Sequence, residues 1–221
     1  MTTDYEAVYI DYADQAQSEY SRFVDLGELL GVKIGERVES IVLANDNAWT
    51  NIGDDGSGNV ILGSTPLTVT ATNIDDIIRG IIQQIQVANG FDMMRENGAF
   101  AVWRPADWTL LVAFMQANGF RTADEALARG ADSDRATIGI PYMEMFHYVS
   151  TLFHIGHVMA GVRGIQKLGL LKSTFGKTYT AEMPPSSTAG MLSGTGIHTR
   201  LDYGLKVQTN VAPIIFDVNV A

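Results

Sequence analysis

MEMFHYVSTLFHIGH, residues 143–157, decides the fold, because it holds three of the four histidines and can be read with either of two periods. On a helix, Glu144 and His147 (ExxH) lie one turn apart, as do His154 and His157 (HxxH), and each pair can share an ion in a zinc or di-iron site. On a strand, residues three apart point to opposite faces and neither pair chelates. The flanks favour the strand, since Tyr142, Met143, Met145, Phe146, Tyr148 and Val149 are aromatic or β-compatible. A four-helix di-iron site also needs a second ExxH and two further glutamates on separate helices, whereas the sequence supplies one ExxH and its flanks do not read as a long helix. The stretch therefore reads as a core strand and turn, with Met143, Met145 or their alternates inward and histidines half-buried. No metal and no cofactor are expected there.

Upstream, the clearest element is NIDDIIRGIIQQIQVANG, 73–90. Ile74, Ile77, Ile78, Ile81, Ile82 and Ile85 form a full helical stripe, with Asn73 as N-cap and Gly90 as stop. Gly80 inside it predicts close packing. GAFAVWRPADWTLLVAFMQANG, 98–119, reads as a buried strand at 100–103, then a helix that Pro105 opens and Gly119 closes. Trp108, Leu111, Val112 and Met115 form its inward stripe. Helix, strand, helix implies an α+β or α/β layer. Nearer the N-terminus, ADQAQSEYSRFVDLGELL (13–30) and IGERVESIVLAND (34–46) read as two helical pieces with a kink at Gly31. NDNAWTNIGDDGSGNVILGSTP is loop and turn chemistry. Its DDGSGN lacks both the glutamate of an EF-hand loop and the GK[ST] of a P-loop.

Downstream, PPSSTAGMLSGTG reads as a loop. In HTRLDYGLKVQTNVAPIIFDVNVA, Leu201, Tyr203, Leu205 and Val207 alternate with polar Asp202, Lys206 and Gln208 before the apolar strand PIIFDVNV. The segment 120–139 is polar and charged and reads as an exposed excursion.

The 221 residues are 46% hydrophobic, enough for one large domain or two lobes sharing a core, and there is no cysteine for disulfides or thiolate sites. A formal charge of −10 and only the spaced set Arg163, Lys167, Lys172 and Lys177 argue against specific nucleic-acid binding. No apolar run reaches the roughly 18 residues of a membrane span, and MTTDYEAVYIDY is no signal peptide, so a soluble intracellular protein is expected. GxSxG and HExxH are absent, and GTG at 194–196 lacks the third glycine of GxGxxG. No enzyme signature emerges.

The order of these elements, with the phrases RPADWTLL, GIPYMEMFHYV and YGLKVQ, resembles the major capsid proteins of tailed bacteriophages, whose fold is shared with encapsulin shells. The resemblance covers most of residues 15 to 221. It implies an α+β phage major-capsid-type fold: a spine helix, a peripheral domain, and an axial domain of mixed sheet flanked by helices. It divides the chain into 1–70 (N-terminal segment, spine helix, part of the peripheral domain), 71–200 (axial domain) and 201–221 (a C-terminal strand returning to the peripheral domain). Family members carry an extended arm and a long β-hairpin loop before the spine helix. Here the first helix is expected from residue 13.

The implied function is a non-enzymatic coat subunit. It assembles with itself through hexamers and pentamers into an icosahedral shell that encloses DNA without sequence-specific binding. Scaffolding, portal or decoration proteins are further partners, with no membrane, in a virion assembled in the host cytoplasm. The excursion then lies near the capsomer axis, where Arg121, Arg129 and Arg135 meet Asp124, Asp132 and Asp134 of neighbours. An encapsulin-like compartment shell is the alternative within the same fold. A soluble metal-dependent enzyme using Glu144, His147, His154 and His157 is the alternative of a different class.

Overall fold

The computed structural model describes residues 2–11, 21–118, 139–153, 156–171, 177–183, 194–208 and 214–221. The acidic N-terminus is strand β1 (Thr2–Asp11), which local pattern alone does not announce. Helix α1 (Ser21–Leu43) then runs unbroken through Gly31, correcting the expected division at that residue; positions 13–20 lie outside the described residues. Leu30, Ile34 and Ile41 form one buried stripe that continues across the glycine. Burying that stripe outweighs the ~1 kcal/mol that a helical glycine costs.

The expected loop after α1 is mostly a hairpin of β2 (Thr50–Asp54) and β3 (Val60–Leu62), with DDGSGN as its turn. The isoleucine helix, α2 (Ile74–Val87), buries Ile74, Ile77, Ile78, Ile81 and Ile85. Asn73 does not cap it. Its side chain instead accepts from the Thr70 N–H at 2.8 Å and donates to the Thr68 carbonyl at 2.7 Å, fastening the incoming loop. At the other end Asn89, not Gly90, takes the left-handed position, with φ of 57°. The Gly90 and Asn89 N–H groups reach the carbonyls of Ile85 (2.8 Å) and Gln86 (3.0 Å), the paired bonds of a Schellman motif. Gly80 is a contact point, since a Cβ there would lie 2.5 Å from Val60.

A short helix follows, α3 (Phe91–Asn97), then β4 (Ala99–Trp103) and α4 (Pro105–Ala117), which begins at Pro105 as expected. Leu111 and Met115 are buried. Trp108 and Val112 are half-buried, and Asp107 takes an inward place that the apolar reading does not assign. The remaining strands are β5 (Gly139–Tyr142), β6 (Met145–Val149), β7 (His157–Val162), β8 (Gln166–Leu170), β9 (Thr178–Met183), β10 (Gly194–Val207) and β11 (Ile215–Asn219). Thus 194–196, read as loop, is strand, paired on both sides by β1 and β9.

Two compact units result, one from Met1–Val42 with Leu168–Lys206, the other from Leu43–Lys167 with Val207–Ala221. The first holds a four-stranded sheet in which β10 is flanked by β1 on one side and by β8 and β9 on the other. The second holds a seven-stranded sheet in the order β3-β2-β11-β7-β4-β6-β5. That sheet is mixed, because β11–β2 and β4–β6 are parallel and its other pairs antiparallel. Helix α2 packs on β3, β7 and α4, and α4 packs on β4 and β6. Ile52, Ala101, Trp103, Val158, Ala160, Leu111 and Met115 are fully buried in the layer between. These unit boundaries differ from divisions at 70/71 and 200/201, because strand pairing joins segments far apart in the chain. The C-terminal strand β11 sits inside the seven-stranded sheet. No helix among the described residues is long and apolar enough to cross a membrane.

Candidate functional site

Strands β5 and β6 are joined by Met143 and Glu144, both at positive φ (51° and 61°), the backbone of a two-residue hairpin turn. Glu144 is thereby exposed on a turn, while Met145 and His147 are buried in β6. His147 is fully rather than half-buried. It lies in register with Ala101 of β4, which pairs with Ala160 of β7, so small side chains leave room for its ring. The Trp103 indole N–H donates to His147 Nδ1 at 2.9 Å, which puts the imidazole proton on Nε2, 3.2 Å from the Tyr142 carbonyl. Both ring nitrogens are therefore engaged, and neither offers a lone pair to a metal. Burial pushes the His147 pKa down to about 4, a neutral core imidazole at neutral pH.

His157 lies on the opposite face of the sheet, three residues from Ala160 along β7. Its Nδ1 is 2.8 and 2.9 Å from the two carboxylate oxygens of Asp217 in β11, and Phe153 meets the ring edge-on. His154 lies outside the described residues. Glu144 on a turn, His147 on one face and His157 on the other do not converge. Among the described residues no group of three potential ligands is assembled. Glu144, His147 and His157 therefore share no chelate.

Other polar groups here also serve structure. Asp54 Oδ1 accepts the N–H groups of Gly56 and Gly58 at 2.8 and 2.7 Å. Asp55 is held below the usual carboxylate range, first by the Asn59 side chain and then by the Ser57 N–H. DDGSGN thus spends its carboxylates on its own turn. Tyr142 donates its hydroxyl to Asp75 at 2.5 Å, and Asp75 also pairs with Arg79 at 2.6 Å, which fastens β5 to α2. Burial, then the Asp75 hydrogen bond, pushes the Tyr142 pKa up to about 12. An open cleft of about 590 Å³ beside the start of α4 contains Arg104, Asp107 and Ser150. There Arg104 and Asp107 hold each other in a bidentate pair at 2.6 and 3.1 Å. The chemistry on view is that of packing and recognition.

Surfaces suited to recognition are visible in both units. In the seven-stranded sheet, Phe146 is 41% exposed, and Arg163 lies 4.8 Å over its ring and 5.9 Å over that of Tyr148. In the four-stranded sheet, Tyr5 and Tyr179 are exposed beside the cation Arg200. The candidate subunit contacts Arg121, Asp124, Arg129, Asp132, Asp134 and Arg135 all fall in 119–138, outside the described residues. The exposed sheet faces escaped the sequence reading because exposure of an alternating strand depends on what packs against it.

The architecture is that of an α+β protein with a mixed sheet, and solved structures share it. One from Mycobacterium phage Che8 is 14% identical, with a TM-score of 0.60 over 99% of this chain and 70% of that one. The capsid of Ralstonia phage GP4 is 11% identical, with a TM-score of 0.56 over 100% of this chain and 73% of that one. The holo-SrpI encapsulin complex of Synechococcus elongatus PCC 7942 is 13% identical, with a TM-score of 0.53 over 100% and 75%. The chain has the fold found in these phage and encapsulin structures. No protein-family model matches the sequence, and no curated protein matches it.

Proposed function

We propose that this chain is a major capsid protein, a non-enzymatic coat subunit that assembles through hexamers and pentamers into an icosahedral shell around a DNA genome. The observation that carries the reading is the likeness to the GP4 capsid subunit along the whole of this chain. The engagement of His147 and His157 by structural partners supports it, because the residues offered for catalysis are occupied by packing. In this reading α1 is the spine helix. The unit of Met1–Val42 with Leu168–Lys206 is the peripheral domain, and the other unit is the axial domain. The excursion at 120–139 lies toward the capsomer axis, with its arginines and aspartates facing neighbouring copies. Scaffolding, portal or decoration proteins act as further partners. The shell encloses DNA without sequence-specific contacts and belongs to a virion assembled in the host cytoplasm.

A compartment of the encapsulin kind is the second reading, favoured by the similar likeness to the holo-SrpI shell. Light scattering and negative-stain microscopy of purified protein test the shared premise. Shells, or rings of five or six subunits, are expected. A monomer under all assembly conditions, with one tightly bound metal per chain, overturns it. Nuclease-protected DNA inside particles supports the capsid, whereas co-purifying protein cargo supports the compartment.

A further inference from the structure

Among the described residues, the four-stranded sheet has one face that packs against α1 and one that carries exposed side chains. Residues of β10 alternate, and the odd positions Ile197, Thr199 and Leu201 are buried. Asp4 stands opposite Leu201 on that side and pairs with Arg37, which places α1 there. The even positions point the other way. His198 stacks on Tyr179 of β9 with ring centroids 5.4 Å apart and 18° between planes. Arg200 is exposed opposite Tyr5, itself 68% exposed, and Lys206 follows in the same alternation. Lys177 is exposed at the start of β9, just before Thr178, the partner of Thr199. Asp202 shares this face, but it is 2% exposed and is held by the Thr3 hydroxyl at 2.6 Å and by Arg200. In a chain of formal charge −10, this face is aromatic and cationic.

The outer side of α1 carries the opposite sign. Glu28, Glu36 and Glu39 are all exposed and lie away from the buried stripe of Leu30, Ile34 and Ile41. Glu36 is paired with Lys33 at 3.2 Å, so Glu28 and Glu39 carry the acidic character. We propose that the open sheet face of one copy receives the acidic outer side of α1 from a second copy. The inference rests on the shell reading above and names one of its contacts. Two different patches meeting make a heterologous contact, which builds rings or open arrays rather than closed two-fold dimers. The aromatic rings supply apolar area at low entropy cost, and the charges fix register. Each exposed ion pair is weak, and repetition around a ring gives the contact its strength.

Charge reversal tests the pairing. Lys177→Glu with Lys206→Glu, or Glu28→Lys with Glu39→Lys, should each reduce the assembled fraction in sedimentation at least tenfold, with circular dichroism unchanged. The chain carrying all four substitutions should recover assembly. Tyr5→Ser, which changes no charge, should weaken it as well. Reversed chains that assemble like the parent overturn the proposal while leaving the shell reading intact. Loss in both pairs without recovery in the combined chain also overturns it. So does a parent that assembles normally but uses this face to bind a single-stranded DNA oligonucleotide. A parent that never assembles overturns the shell reading and this contact with it.

Discussion

The indole of Trp103 and the imidazole of His147 are diagonal neighbours on one face of the parallel β4–β6 pair, both fully buried and 2.9 Å apart. Trp103 can only donate, so His147 must keep Nδ1 unprotonated. Protonation would bury a charge and set two N–H groups against each other. The His147 pKa in the folded chain, about 4, lies below its ordinary 6.5. The neutral ring therefore contributes fully above pH 6.5, and that contribution is lost as pH falls from 6.5 toward 4, roughly 3 kcal/mol across the window. Urea midpoints measured between pH 7 and 4 should fall accordingly. His147→Gln, which keeps an acceptor but does not titrate, should flatten that part of the profile.

Gly80 and Val60 form the contact between α2 and β3. Gly80→Ala gains up to ~1 kcal/mol of helix propensity but overpacks against Val60, at a cost of about 1–3 kcal/mol. The net expectation is a loss of stability. Val60→Ala in the same chain removes the Cγ2 that lies 2.5 Å from the new methyl but keeps Cβ at the same distance. It should therefore restore only part of the loss, read as a non-additive double-mutant cycle in urea denaturation.

Met143 and Glu144 hold left-handed backbone that suits asparagine and glycine. Replacing them with Asn-Gly should stabilise the β5–β6 hairpin by roughly 1–2 kcal/mol. A higher thermal midpoint with unchanged far-UV circular dichroism is the expected result.

Asp107 is 4% exposed in its side chain and receives both hydrogen bonds from Arg104. Asp107→Ala leaves that guanidinium half-buried without its carboxylate and should cost about 3 kcal/mol in chemical denaturation. Arg104→Met with Asp107→Leu should cost much less, because no charge is left behind.

Where one face of an element is buried, the sequence was readable. The stripe from Ile74 to Ile85 and the helix opened by Pro105 needed only local period. The histidine stretch was legible as strand and turn, because its aromatic and β-compatible residues already alternate. What escaped reading depends on distant segments. β1 is a strand because β10 lies beside it, and Gly194–Gly196 are strand for the same reason. Asp202, on the nominally polar side of its strand, is buried by Thr3 and Arg200. Asn73 turned from the expected cap because Thr68 and Thr70 offered its amide better partners. Full burial of His147 required Trp103, forty-four positions upstream.

The place of β11 bears on when a subunit becomes usable. Residues 215–219 lie after every other strand among the described residues, yet they hold β2 and β7 together in mid-sheet. Until they arrive, β3-β2 and β7-β4-β6-β5 are two half-sheets with raw edges facing each other. A chain still emerging from the ribosome, or one cut short before this strand, therefore cannot finish its core. Closure of the sheet therefore waits on a segment made after the strands it joins, and a copy that lacks it keeps two unjoined half-sheets.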